Sequence, residues 1–215
     1  MSSLESNVST LSSSSSCITH SYTKLTDTEN KIIFSLSKFI NEKITKKNKK
    51  KKYLSSKNKK KDKFFSIYVP TISIYDYIYR IIKFTNINIS TLIISFLQLD
   101  NYLEKTKNYL NINNFYNLFI TSCLINSKFY EDNFCSLSLF AKVGGISNKK
   151  LECLEFEFYH RLNFCLYLRE DLYDKYYNFF LNDIYSSNFY YINYNNNDNN
   201  NNDNDNINEE ENKIE

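Results

Sequence analysis

Ala141-Lys142-Val143-Gly144-Gly145-Ile146-Ser147 contains the only two glycines in a chain of 215 residues, and they are adjacent. Glycine takes φ > 0 without steric cost, so helices commonly end on it. Ser147 is a good N-cap, because its hydroxyl accepts a backbone N–H from the first turn of a following helix. The stretch reads as helix stop, tight turn, helix start. Before it, Phe134–Val143 has helical character; after it, over about 148–162, apolar residues recur at Leu151, Leu154, Phe158 and Leu162.

Working outward, the same pattern continues. Asn113–Tyr130 is apolar on most faces (Phe115, Leu118, Phe119, Ile120, Cys123, Leu124, Ile125), which predicts the buried centre of a bundle. A helix is expected over about 90–105 with Ser90 as its N-cap. Another is expected from Ser73 to about Thr85, where Ser73 and Asp76 have capping-box spacing just after Pro70, the only proline. A last helix is expected over 170–184. The many isoleucines and tyrosines favour strands locally. The scarcity of Gly and Pro argues against a sheet of many short strands, so the fold class is all-α.

The net charge of +3 conceals a segregation. Residues 1–63 carry 15 Lys against 5 acids, residues 64–182 carry 11 basic and 11 acidic groups, and residues 183–215 carry 8 acids and one Lys. Only the middle has core-forming material. This divides the chain into a Ser/Lys-rich N-terminal extension (1–63), a folded domain (64–184) and an Asn/Asp-rich acidic tail (185–215). Both ends are expected to be largely disordered. Within the extension, 31–44 places Ile32, Ile33, Leu36, Phe39, Ile40 and Ile44 near a helical period. That predicts a short amphipathic helix that packs on the core or stays loose, with partner docking as the alternative. The twelve lysines of 43–63 are expected to repel one another and stay extended. They read as a solvated linker or a nuclear-import signal. With no arginine and few aromatics among them, nucleic-acid binding is not indicated.

Catalytic chemistry finds no support. There is no nucleotide loop, metal cluster or nucleophile–base pattern, so no cofactor or metal is expected. The five cysteines (Cys17, Cys123, Cys135, Cys153, Cys165) form no CxxC pair and read as reduced thiols of an intracellular protein, nuclear or cytoplasmic. No apolar run reaches 18 residues and no signal peptide is evident, so no membrane association is expected.

Four pieces of the middle, in order, resemble the cyclin box, and within it the P-type cyclins (also called U-type, similar to fungal phosphate-regulon cyclins). They are Val69-Pro70-Thr71-Ile72-Ser73-Ile74 with Tyr77, Arg80 and Ile81; Leu97-Gln98-Leu99-Asp100-Asn101-Tyr102-Leu103; Ile120-Thr121-Ser122-Cys123-Leu124-Ile125-Asn126-Ser127-Lys128-Phe129-Tyr130-Glu131-Asp132; and Ala141–Ser147 followed by Leu154-Glu155 and Leu162-x-Phe164. The resemblance implies a five-helix bundle without catalytic activity that activates a cyclin-dependent Ser/Thr kinase as a heterodimer, by binding the kinase αC helix. It implies that Lys128 and Glu155 meet the kinase, with Phe129 and Tyr130 as the apolar surround. Arg80 and Asp100 match a family pair that joins the box's first and second helices as structural support. Gly144 and Gly145 are structural and set where Glu155 points relative to Lys128.

The chain departs from the pattern in three places. Asn126 and Ser127 replace small residues, Asn101 replaces an Arg, and Tyr79-Arg80-Ile81-Ile82-Lys83 replaces the M-R-A-I-L substrate patch. No second box is expected after residue 184. The alternative function is a cyclin-fold adaptor or transcription-factor-like module without kinase activation.

Overall fold

The computed structural model describes residues 25–51 and 62–182, and every regular element in them is a helix. These are α1 (Asp27–Lys51), α2 (Ile74–Thr85), α3 (Ile89–Thr106), α4 (Ile112–Tyr130), α5 (Leu137–Gly144), α6 (Asn148–Arg161) and α7 (Glu170–Asn182). The expectations for residues 1–24, for the 52–61 part of the lysine run and for the tail beyond 182 lie outside the described residues.

α4 is the axle of the bundle. Every residue from Asn114 to Ser127 is buried, and α3, α5 and α6 pack around it. Its first turn is closed by a reciprocal capping box: the Asn111 side chain accepts from the Asn114 backbone, and the Asn114 side chain accepts from the Asn111 backbone. α2 starts as its sequence indicates, with Ser73 Oγ accepting the Asp76 N–H at 3.0 Å. α3 is capped two residues before the expected Ser90, at Asn88, whose own N–H donates to Glu131 Oε1 at 2.8 Å. α5 starts at Leu137 rather than Phe134, because Ser136 caps it through the Leu139 N–H.

The first helix departs furthest from its expectation. α1 begins at Asp27 rather than 31 and continues to Lys51 rather than ending at 44, so the first part of the lysine run is helical, not extended. Thr26 and Glu29 close its first turn: Glu29 Oε2 accepts from Thr26 N at 2.7 Å and Thr26 Oγ1 accepts from Glu29 N at 3.3 Å. Ile32, Ile33, Leu36, Ile40 and Ile44 are buried in the common core, and α1 packs on α2 and α7. Burying side chains of this size stabilises by about 1.5–3 kcal/mol each, enough to hold a helix whose C-terminal end is a cationic repeat.

Between α1 and α2, Phe64 inserts into the bundle with no exposed surface. Its ring meets Tyr102 at 5.2 Å and Phe158 at 6.2 Å, both edge to face. Lys63 beside it pairs with Glu157 of α6 at 2.6 Å, and Glu157 also accepts from Arg161 at 2.7 Å. Burial pushes the Glu157 carboxyl up, but the hydrogen bonds from Lys63 and Arg161 outweigh this and leave its pKa below the usual value.

Candidate functional site

The α5–α6 turn is a Schellman arrangement. Gly145 N donates to Lys142 O at 3.3 Å and Ile146 N to Ala141 O at 3.0 Å, with Gly145 at φ +69°. Ser147 Oγ then accepts the Lys150 N–H at 3.2 Å and starts α6. The two glycines serve different needs. Gly145 alone takes positive φ. Gly144 is helical, and a Cβ there would sit 2.9 Å from Ile120 Cγ1 of α4. The turn is thus both bent by Gly145 and pressed onto α4 at Gly144.

That placement brings Glu155 of α6 to Lys128 in the last turn of α4. Lys128 Nζ donates to Glu155 Oε1 at 2.6 Å, with the two side chains 29% and 14% exposed. The cation and anion expected side by side from the resemblance are in direct contact. Each keeps chemical capacity beyond this bond, since an ammonium has three donors and a carboxylate about four acceptor sites.

Exposed aromatics adjoin the pair in sequence. Phe129, next to Lys128, is 57% exposed, and Phe156, next to Glu155, is 65% exposed. Tyr130 lies edge to face with Phe129 at 4.8 Å, and its hydroxyl donates to Leu166 O at 3.0 Å. Partial burial pushes its phenol above the ordinary value, so it remains a donor at neutral pH. Leu166 O also accepts from the fully buried Gln98 at 2.6 Å, and Asn101 donates to Gln98 Oε1 at 3.3 Å. Asn101, which stands where the family carries Arg, therefore orients the glutamine that holds the chain after α6 against α3. Gln98 was not anticipated. The signal for it was a lone polar residue between Leu97 and Leu99.

The Arg80–Asp100 pair is not formed. Arg80 is exposed on α2, and its Nη2 donates to Lys142 O at 3.4 Å, at the end of α5. Asp100 pairs with Lys43 of α1, whose ammonium also lies 5.3 Å from the centre of the Phe39 ring and 5.1 Å from that of Phe96. The reason is packing: α2 lays the Arg80 side against α5, while α1 brings a cation to the end of α3 and takes the carboxylate. Asp100 is still structural support, but it fastens α1 to α3. The departures on α4 are polar insertions into the core. Asn126 Nδ2 donates to Ser122 O at 2.8 Å, and Ser127 Oγ donates to Leu124 O at 3.0 Å. Asn126 Oδ1 has no hydrogen-bond partner among the described residues.

No three His, Cys, Asp or Glu side chains converge as a metal site among the described residues. No helix there is long and apolar enough to cross a membrane. A family model described as Cyclin matches residues 12–166, a span that includes α1. Cyclin-U4-1 of Arabidopsis thaliana is 29% identical over 150 residues, 69% of this chain and 74% of that protein. Cyclin-U4-3 of the same plant is 33% identical over 123 residues, 56% of each chain. Cyclin-P3-1 of Oryza sativa subsp. japonica is 29% identical over 153 residues, 69% of this chain and 63% of that protein. The chain thus spans about three quarters of the first relative and less than two thirds of the other two.

Proposed function

The chain belongs to the cyclin family, whose members are regulatory and not catalytic, and we propose on that premise that it activates a cyclin-dependent Ser/Thr kinase by holding the kinase αC helix in its active position. The observation that carries this reading is the Lys128–Glu155 contact, with exposed aromatics next to both residues in sequence. In an active kinase, a Glu on αC pairs with the Lys that holds the ATP phosphates. A protein that binds only the αC-in form raises the population of that form. Moving it from 1:99 to 99:1 requires about 5.5 kcal/mol of differential affinity. Two charge-assisted hydrogen bonds supply about 1.5–3 kcal/mol each before desolvation is counted. Burial of Phe129, Phe156 and part of Tyr130 supplies the remainder.

The test uses the full chain and a purified cyclin-dependent kinase identified by co-purification and mass spectrometry. Lys128→Glu and Glu155→Lys should each abolish binding and leave helicity unchanged. The double exchange, Lys128→Glu with Glu155→Lys, restores an ion pair of reversed orientation. If the pair serves the fold alone, the exchange rescues binding; if it reads the kinase, binding stays lost. Normal binding by either single variant, or rescue by the exchange, refutes the assignment.

A further inference from the structure

The chain between α6 and α7 makes a turn that its residue types do not favour. Asn163 and Phe164 both take positive φ, +53° and +55°. Asparagine tolerates the left-handed region, but a bulky phenylalanine is rarely found there. Such a backbone persists only where its surroundings hold it, and it gathers at functional positions. Two residues of α3 hold this one. At its start, Lys105 Nζ donates to Leu162 O at 3.3 Å. At its end, Leu166 O accepts from Gln98 Nε2 at 2.6 Å and from Tyr130 Oη of α4 at 3.0 Å. Phe164 itself is turned outward: it is 66% exposed, and its ring stacks on Tyr159 at 6.0 Å. Tyr159 lies one helical turn beyond Glu155 on the same face of α6. On the other side, Tyr130 ties Leu166 to Phe129, the neighbour of Lys128. The turn is therefore joined to the Lys128–Glu155 pair twice, through α6 and through the end of α4.

We propose that Gln98 is a positioning residue for the kinase-binding surface: its amide, oriented by Asn101, keeps the 162–166 turn wound, so that Phe164 stands on the Glu155 face of α6 before a partner arrives. This role rests on the kinase reading above. Gln98 has no exposed surface, so it acts on a partner only through the turn. What it supplies is pre-organisation. A partner that needs the wound turn binds with its intrinsic affinity multiplied by the fraction of molecules in which the turn is wound. Without the amide, Tyr130 alone holds the Leu166 carbonyl. Loss of one hydrogen bond lowers the ratio of wound to unwound turn about three- to tenfold. The amides of Phe164 and Cys165 report that ratio directly, because they donate within the turn, to Tyr159 O at 2.9 Å and to Leu162 O at 3.1 Å.

The experiment uses Gln98→Met in the full chain, which keeps the side-chain volume and removes the amide. In hydrogen exchange the amides of Phe164 and Cys165 should exchange about three- to tenfold faster, while those of α4 keep the parent rate. Unchanged exchange at 164 and 165 would show that Gln98 does not hold the turn. Uniform acceleration would show that it supports the fold at large. Either result overturns the proposal. Binding kinetics with the co-purified kinase give the second reading. Association should slow at least threefold, while dissociation keeps the parent rate, because only the wound fraction has changed. Lys128→Glu is measured alongside to separate the two ideas. If it fails to bind while Gln98→Met associates at the parent rate, the positioning role alone falls. If it binds normally, the kinase reading falls and this role with it. Asn101→Ala covers the case in which Gln98→Met does not fold. It lies at a partly buried site and should give the same local acceleration at smaller amplitude; no acceleration at 164 and 165 in this variant also overturns the proposal.

Discussion

Gly144→Ala and Gly145→Ala should cost similar stability for unrelated reasons, and a second substitution can tell them apart. At position 144 the new Cβ would meet Ile120 Cγ1 at 2.9 Å, Cγ2 at 3.4 Å and Cβ at 3.5 Å. Carbon atoms prefer about 3.5–4.0 Å, so the nearest contact is too short by about 0.6 Å, and Ile120 is fully buried. Overpacking of this kind costs about 1–3 kcal/mol, and the better helix propensity of alanine returns about 0.5–1 kcal/mol. At position 145 nothing lies within 4 Å, but φ is +69°. The left-handed penalty is about 1–2 kcal/mol, less about 0.4–1 kcal/mol from a stiffer unfolded chain. Both net costs fall near 1 kcal/mol. Ile120→Ala removes the clashing branch carbons. Combined with Gly144→Ala, it should show a favourable coupling of about 1–3 kcal/mol, whereas with Gly145→Ala the effects should add within about 0.5 kcal/mol. Ile120→Val keeps both branch carbons and should relieve nothing. Urea unfolding followed by circular dichroism, with m unchanged across the set, measures all of these. Additive behaviour at 144, or coupling at 145, would refute the separation of the two roles.

Three further outcomes follow from contacts elsewhere in the bundle. Glu157 has a lowered pKa in the fold, so the unfolded chain binds its proton more readily; its contribution is complete above the ordinary carboxyl range and is lost as pH falls below about 4.5. Glu157→Gln should therefore flatten the acid limb of a stability profile measured from pH 3 to 7, and an unchanged limb would show that Lys63 and Arg161 do not hold the charge. Asp100→Asn should destabilise by about 1 kcal/mol by releasing Lys43 at a partly exposed site, while Arg80→Gln changes stability by less than about 0.5 kcal/mol; equal and coupled losses would restore the Arg80–Asp100 pair. Cys153 and Cys165 are exposed, whereas Cys123 is buried and its thiol is pushed up by that burial. A thiol reagent should label the first two within minutes and Cys123 only on unfolding, as read by mass spectrometry.

Where structure is decided by neighbours along the chain, the sequence could be read. The glycine pair, the Ser147 cap and the Ser73–Asp76 cap are local chemistry, and each stands where it was expected. Where distant groups decide, reading stopped short. α3 is capped at Asn88, whose N–H is held by Glu131, 43 residues away. Other signals were present but masked by composition. Thr26–Glu29 is a capping box lost within a Ser/Thr-rich start, and Asn111–Asn114 is another lost among many asparagines. The scarcity of glycine also misled in part. Asn86, Lys107, Asn163 and Phe164 all take positive φ near helix ends, so left-handed turns are more numerous than glycines. The Lys128–Glu155 contact was legible only through resemblance, since nothing in the spacing of 128 and 155 brings them together. The same route failed for Arg80 and Asp100, because it took no account of Lys43 on a helix that had been placed outside the domain.

The polar residues inside α4 answer a problem that its apolar character creates. Hydrophobic burial is non-directional, so a helix apolar on every side has little to fix its rotation or its position along its own axis. Directional bonds provide this here. Ser122 Oγ donates to Ser95 O of α3 at 2.7 Å, and Asn117 Nδ2 holds the carbonyl of Phe64. Asn114 Nδ2 reaches Asp62 Oδ2 at 3.2 Å and Tyr109 O at 3.0 Å. Asn126 continues the row onto Ser122, even with one amide oxygen unpartnered among the described residues, a cost of about 1–3 kcal/mol for a buried acceptor. A slip of one residue would turn Lys128 by about 100° and break its contact with Glu155. The register of the lysine is therefore set about three turns upstream, by the same asparagine that fastens Phe64, and the chain between α1 and α2 belongs mechanically to the surface around Lys128.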